Sequence, residues 1–274
     1  MKKKIALLFL CLWLLVSCAE VPVTGRSQLR LVNNAELYAL SFQAYNQFLQ
    51  ENRVVSNAPQ AATVKSVGNK LRAAIETYMR QNNMSQVLEG YKWEFNLVED
   101  KNINAFCMPG GKVVVFTGIL PVTQDETGLA VVMGHEIAHA IAEHGNERTS
   151  QGLLANGLLQ AGSIATQTNP KMAYQLALQA AGLGTQLGLL AYGRKQESEA
   201  DEIGLIMMAM AGYDPRAAVP FWQRMAAQGN GQQPPEFLST HPSSQTRISR
   251  LQKLMPKALE YYQGNGAAAA AGNK

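Results

Sequence analysis

Val131-Val132-Met133-Gly134-His135-Glu136-Ile137-Ala138-His139-Ala140 sets an H-E-x-x-H pattern inside an otherwise apolar run. On a helix, His135 and His139 lie four residues apart and project from one face, so both imidazoles reach a single metal ion. Glu136 stands about 100° round the helix. That position misses the metal but reaches a water beside it, which is where a general base belongs. The flanking Leu129, Ile137, Ala138 and Ile141 imply a buried helix, in which polar groups need partners. All four histidines of the chain, His135, His139, His144 and His241, fall in this motif or near a second one. Thr123-Gln124-Asp125-Glu126 reads as a capping box that starts a helix before the motif, with Gly145 placed to end it.

The second chemical stretch is Glu197-Ser198-Glu199-Ala200-Asp201. Glu197 and Asp201, at i and i+4, share a helical face, while Glu199 points elsewhere. Taken alone the run reads as a solvated acidic helix start. Beside an H-E-x-x-H that lacks a third ligand it reads differently, because catalytic zinc commonly takes two histidines and one glutamate and leaves a position for water. Glu197 is the expected third ligand, and Asp201 the acceptor that fixes the tautomer of a ligand histidine. His144 is a rival, since some zinc peptidases place a third histidine six residues after the second. Here the spacing is five and Ala142 stands where that pattern has glycine. His144 is therefore expected at the helix C-terminus, interacting with the dipole.

Outward from these motifs, 274 residues of 47% hydrophobic composition bury one sizeable core without requiring two domains. Helical periodicity runs from Ala35 to Gln50 and from Ala62 to Arg80. Tyr91 to Val98 alternates as a strand does, Ile103 to Met108 leads into a Pro109-Gly110-Gly111 turn, and Lys112 to Thr117 is a third apolar strand. The expectation is a mainly helical α+β domain over residues 35–263, with a small antiparallel sheet beside the motif helix. A free edge of that sheet can accept an extended peptide as an added strand. Between Met172 and Gly193 there is no acidic or basic residue, but Gln175, Gln179, Thr185 and Gln186 argue for a buried or lid-forming hairpin within 150–193 rather than a membrane span.

The N-terminus reads as a leader. Lys2, Lys3 and Lys4 precede an apolar run from Ile5 to Val16, the length of a signal peptide rather than of a membrane span. Leu15-Val16-Ser17-Cys18 resembles the bacterial lipobox, in which the chain is cut before the cysteine and that cysteine is acylated. Residues 1–17 are then a signal peptide, 18–34 a lipidated tether and entry segment, and 264–274 a low-complexity tail. Ala19 in place of aspartate points to the outer membrane of a periplasmic lipoprotein. Three of the four net positive charges leave with the leader, so nothing suggests nucleic-acid binding. Cys107 is the remaining thiol and is expected to be packing.

Gly134-His-Glu-Ile-Ala-His-Ala140, Glu197-Ser-Glu-Ala-Asp-Glu-Ile-Gly204, Ser239-Thr-His-Pro242 and Arg247-Ile248 together resemble the HtpX/prenyl-protease superfamily of zinc metallopeptidases, with its zincin-like (gluzincin) fold. The lipobox and Pro22-Val-Thr-Gly-Arg-Ser-Gln-Leu29 are similar to the periplasmic lipoprotein branch that includes LoiP and BepA, here without a helical-repeat domain. The resemblance implies one Zn2+ held by His135, His139 and Glu197, Glu136 as base and Asp201 as support. It implies that His241 sits near the metal and can take its open position, and that Arg247 lies nearby; either could stabilise an oxyanion. It also implies that substrate adds as a strand along Asn104, Ala105, Phe106 and on to Gly110. Unfolded or misassembled envelope proteins are the substrates it suggests, with a mostly gated periplasmic chaperone or assembly factor as the alternative.

Overall fold

The computed structural model describes residues 18–159, 193–229, 235, 237–238, 241 and 245–272. The expected signal peptide and most of the 150–193 stretch therefore lie outside the described residues. Among those described, no helix is long and apolar enough to cross a membrane.

The two N-terminal helices form where periodicity places them, α1 over Asn34–Glu51 and α2 over Pro59–Gln81. Asn33 caps α1 by accepting the Ala35 amide, and Pro59 opens α2 where a missing N–H costs nothing. A sheet follows in the order β3 (Val54–Val55), β4 (Glu94–Val98), β6 (Lys112–Phe116), β5 (Ala105–Met108). Its centre corrects the expected antiparallel arrangement, because β4 and β6 run parallel, with Phe95 opposite Val113. The turn at Gly110 and Gly111, both at positive φ, folds β5 back on β6 as a hairpin. The link from β4 must then carry the chain across to the far side of β6. Alternation reports which face a residue occupies and is silent on strand direction.

The sheet is covered on both sides, which is why all of Lys112–Phe116 is buried. Val113 and Val115 join the core beneath α2, while Val114 and Phe116 pack with Phe106 against Ala44 and Tyr45 of α1. β5 is an edge strand, as β3 is on the other side, and one of its backbone edges lies outside the sheet.

The motif helix, α4 (Glu126–Ile141), follows a short α3 (Leu120–Thr123) and is buried from Gly128 onward. Its cap is Asp125, whose carboxylate accepts the Gly128 amide at 2.8 Å. Thr123, expected in that role, instead closes α3 by donating to the Leu120 carbonyl. Nor does Gly145 end the helix: Ala142 caps it, Glu143 takes φ 52°, and α5 (His144–Leu159) starts at once.

Helix α6 (Arg194–Met210) crosses α4 at Gly134 and Gly204. A Cβ on Gly204 would stand 2.9 Å from the Gly134 carbonyl carbon and the His135 nitrogen, so only hydrogen fits. This backbone contact brings the two sequence motifs face to face. Helix α7 (Ala218–Gln228) supplies the buried Phe221 and Trp222 behind them, and α8 (Gln245–Gly272) carries Arg247. Residues 264–272, expected as a tail, continue α8 past Pro256.

The entry segment, residues 18–34, has structure of its own. β1 (Cys18–Glu20) and β2 (Ser27–Leu29) form an antiparallel hairpin, Ala19 opposite Gln28. The segment after it is fastened to α5, where Ser150 accepts the Leu31 amide at 2.8 Å and Asn146 donates to the Val32 carbonyl at 2.9 Å.

Candidate metal centre

His135 and His139 project from α4 with their Nε2 atoms 3.1 Å apart. Glu197, in the first turn of α6, places Oε1 3.3 Å from His139 Nε2 and Oε2 3.5 Å from His135 Nε2. His241 brings Nδ1 to 3.2 Å from His135 Nε2 and 2.9 Å from Glu197 Oε1. Tetrahedral donors at zinc-ligand distances stand about 3.3–3.6 Å from one another. Among the described residues these four side chains form the group able to hold a metal, and all are buried. Two imidazoles and a carboxylate are the donor set of a catalytic zinc site. Beside them, Glu136 has a buried Oε1 with no hydrogen-bond partner, 3.6 Å from His241 Nε2. A buried carboxylate oxygen in that state calls for a donor such as a water at the metal.

The electrostatics suit these roles. Burial raises the Glu136 carboxyl pKa, towards the range of a working base. Burial also opposes charge on Glu197, but His241 and the hydrogen bonds from His135 and His139 outweigh it and hold this group well below its ordinary value, as a carboxylate. Burial drives His139 well below its usual pKa and so keeps a ring nitrogen available. For His135, burial and Arg247 work against protonation, but Asp201 and Glu197 prevail and raise it to about 9, so a cation binding here must displace a proton from the ring. Asp201 Oδ1 lies 3.1 Å from His135 Nδ1, so a proton there leaves Nε2 facing the other donors.

Arg247 stacks its guanidinium 3.4 Å over the Trp222 ring and meets Asp201 Oδ1 at 2.7 Å and Glu197 Oε2 at 3.1 Å. In this arrangement it holds the two carboxylates in place. The His241 amide donates to the Phe237 carbonyl, and the His241 ring stacks on that of Phe237. Asn104, Ala105 and Phe106 lie at the outer strand; the Asn104 carbonyl accepts the Phe116 amide, and Gly110 forms the turn beyond. Cys107 is buried, and burial pushes its thiol pKa well up, as expected of a packing residue.

The sequence reading missed the supports of His139. His144 opens α5 and does not end the motif helix; its Nδ1 is 2.8 Å from His139 Nδ1 and its Nε2 is 2.9 Å from Glu199 Oε2. Glu199 does point away from the ligand group, and towards His144. It also accepts from Thr24 and, at 2.8 Å, from Arg26 Nε. Arg26 makes a two-pronged pair with Glu147 at 2.6 and 2.8 Å, and Gln196 donates to the same carboxylate. The available signal was an arginine shortly after the apolar Val21-Pro22-Val23, since a charge held near apolar surroundings needs a partner.

Residues 65–255 match peptidase family M48. The mitochondrial metalloendopeptidase OMA1 of Saccharomyces cerevisiae is 31% identical over 276 residues, covering 96% of this chain and 76% of that protein. Its counterpart in Schizosaccharomyces pombe is 40% identical over 168 residues, 61% of this chain and 48% of that protein. The beta-barrel assembly-enhancing protease of Escherichia coli is 32% identical over 163 residues, 57% of this chain and 33% of its own length. The chain thus spans about half or less of the last two. Similarity reaches mitochondrial and bacterial proteases alike and does not single out a lipoprotein branch. A family match over most of the chain, together with a buried His-His-Glu cluster beside the Glu136 carboxylate, shows that this chain belongs to peptidase family M48, a family of metalloproteases.

Proposed function

We propose that the protein is a zinc-dependent endopeptidase of the bacterial cell envelope, lipid-anchored through Cys18 in the periplasm, that cleaves misfolded or misassembled proteins. The observation that carries the catalytic part is the near-tetrahedral spacing of the His135, His139 and Glu197 donors beside Glu136 Oε1. A zinc ion in that cradle would lower the pKa of a water towards about 7 and polarise a carbonyl. Glu136 takes the proton from the attacking water and later delivers it to the leaving amine. Asp201 holds His135, and Arg247 holds Asp201 and Glu197. Extended substrate adds along Asn104, Ala105, Phe106 and Gly110, where the sheet ends in β5. The envelope location rests on the leader and lipobox. The name of the Escherichia coli relative, which refers to beta-barrel assembly, supports assembling envelope proteins as substrates.

A second reading, a chaperone or assembly factor that seldom cuts, is favoured by one feature: His241 Nδ1 already stands where a fourth donor would, 2.9 Å from Glu197 Oε1. Zinc analysis with casein digestion, before and after chelation and zinc return, tests the enzyme reading. We expect one zinc per chain, with digestion lost and restored alongside it. A zinc-loaded protein that never cuts casein, even as His241→Ala, would favour the chaperone.

A further inference from the structure

We infer that the N-terminal hairpin is a working part of the metal centre, with Arg26 acting through Glu199 and His144 to orient the ring of His139 for its cation. The inference rests on His139 being a ligand, as proposed above. His139 turns Nε2 towards His135 and Glu197, so its other nitrogen, Nδ1, faces outward and meets His144 Nδ1 at 2.8 Å. Two ring nitrogens in contact share one proton, so one must donate and the other accept. Which does which is settled at the far side of His144, where Nε2 is 2.9 Å from Glu199 Oε2. That same oxygen accepts from Arg26 Nε at 2.8 Å, and an arginine has only donors to offer. The carboxylate therefore accepts, His144 carries its proton on Nε2, and its Nδ1 lone pair receives the Nδ1 proton of His139. The lone pair of His139 is left on Nε2, among the other donor atoms.

Each link comes from a different part of the chain. His139 is on α4, His144 opens α5, Glu199 is on α6, and Arg26 and Thr24 belong to the hairpin turn. Arg26 is the only described residue that grips both Glu199 of α6 and Glu147 of α5, and all three side chains are largely shielded from water. Shielding preserves the directionality of such a network. The hairpin starts at Cys18 itself, so the segment nearest the proposed lipid also ends the chain of contacts that reaches the metal site.

The test is the zinc dissociation constant of the full-length protein, by competition with a chromogenic chelator, together with the visible spectrum of the cobalt-substituted form. His144→Phe is expected to weaken zinc about 10–100-fold, the usual range for losing a ligand's hydrogen-bond partner. Glu199→Gln is expected to weaken it less, and Arg26→Gln less again, with the cobalt bands shifted in His144→Phe and Glu199→Gln. Arg30→Ala, which loosens the same segment from Glu143 but touches no link, is expected to leave both readouts at wild-type values. Far-UV circular dichroism of the zinc-free variants separates folding from binding, and Glu199→Gln keeps its size to guard that comparison. Should His144→Phe, Glu199→Gln and Arg26→Gln fold and match wild type in zinc affinity and cobalt spectrum, the hairpin is only a staple and the inference falls. Glu197→Ala keeps the two readings apart: zinc held as tightly as in wild type would overturn the ligand set itself, whereas zinc lost there but unaffected by the three relay variants overturns the relay alone.

Discussion

His135 and His139 stand one turn apart on α4 and aim at the same point, yet their outward nitrogens are held from opposite ends of the chain. His135 is held from the C-terminal side, by Asp201 on α6 and by Arg247 on α8, whose guanidinium meets both Asp201 and the His135 ring. His139 is held from the N-terminal side, by His144, Glu199 and the hairpin residue Arg26. One support is a direct carboxylate contact and the other passes through a second imidazole. The difference teaches that an H-E-x-x-H helix is not oriented by its own sequence. Each proposed ligand has its own partner, and the two networks draw on Arg247 towards one end of the chain and Arg26 towards the other. Between the two arms lies Glu197, the ligand candidate that touches both histidines.

Glu197 gives the largest expected effect, because it serves both arms. Glu197→Ala should lose stoichiometric zinc, whereas Glu199→Ala should still load at excess zinc with weakened affinity; equal loss in both would erase the distinction between ligand and support. Gly204→Ala strikes the contact that brings the arms together, since its methyl would meet backbone rather than a movable side chain. A cost of about 1–3 kcal/mol in denaturant unfolding is expected, and an unchanged midpoint would contradict the tight crossing. On the His135 arm, Asp201→Asn keeps an acceptor but drops the charge, and zinc affinity should fall about 10–100-fold, read by chelator competition. Affinity that stays at wild type would leave His139 as the only supported ligand. The smallest effect is expected at Cys107, which lies in β5 outside both arms: Cys107→Ala should keep casein cleavage while costing about 1 kcal/mol of stability. Loss of cleavage in a folded, zinc-loaded Cys107→Ala would give the thiol a chemical role.

Much of this centre could be read from the sequence because its spacing is local. His135, Glu136 and His139 lie within one turn, and Glu197 and Asp201 share a face of another helix, so period and spacing alone bring them into position. The spans of α1 and α2 were legible for the same reason. What escaped had long-range causes. The parallel pairing of β4 with β6 depends on where a link crosses the sheet, which alternation cannot report. The cap at Asp125 and the early end of α4 turned on single backbone conformations at Gln124 and Glu143. His144 lies close to His139 in sequence, yet its role depends on Glu199 and Arg26, which only the folded chain brings to it.

The central claim is that Glu136 moves the proton in a metal-dependent peptide hydrolysis, and it is tested most directly by casein digestion with the Glu136→Gln protein, alongside its measured zinc content. The structure predicts zinc at the wild-type level and no digestion, because every proposed ligand survives and the base does not. Digestion at or near the wild-type rate in the zinc-loaded variant would contradict the account.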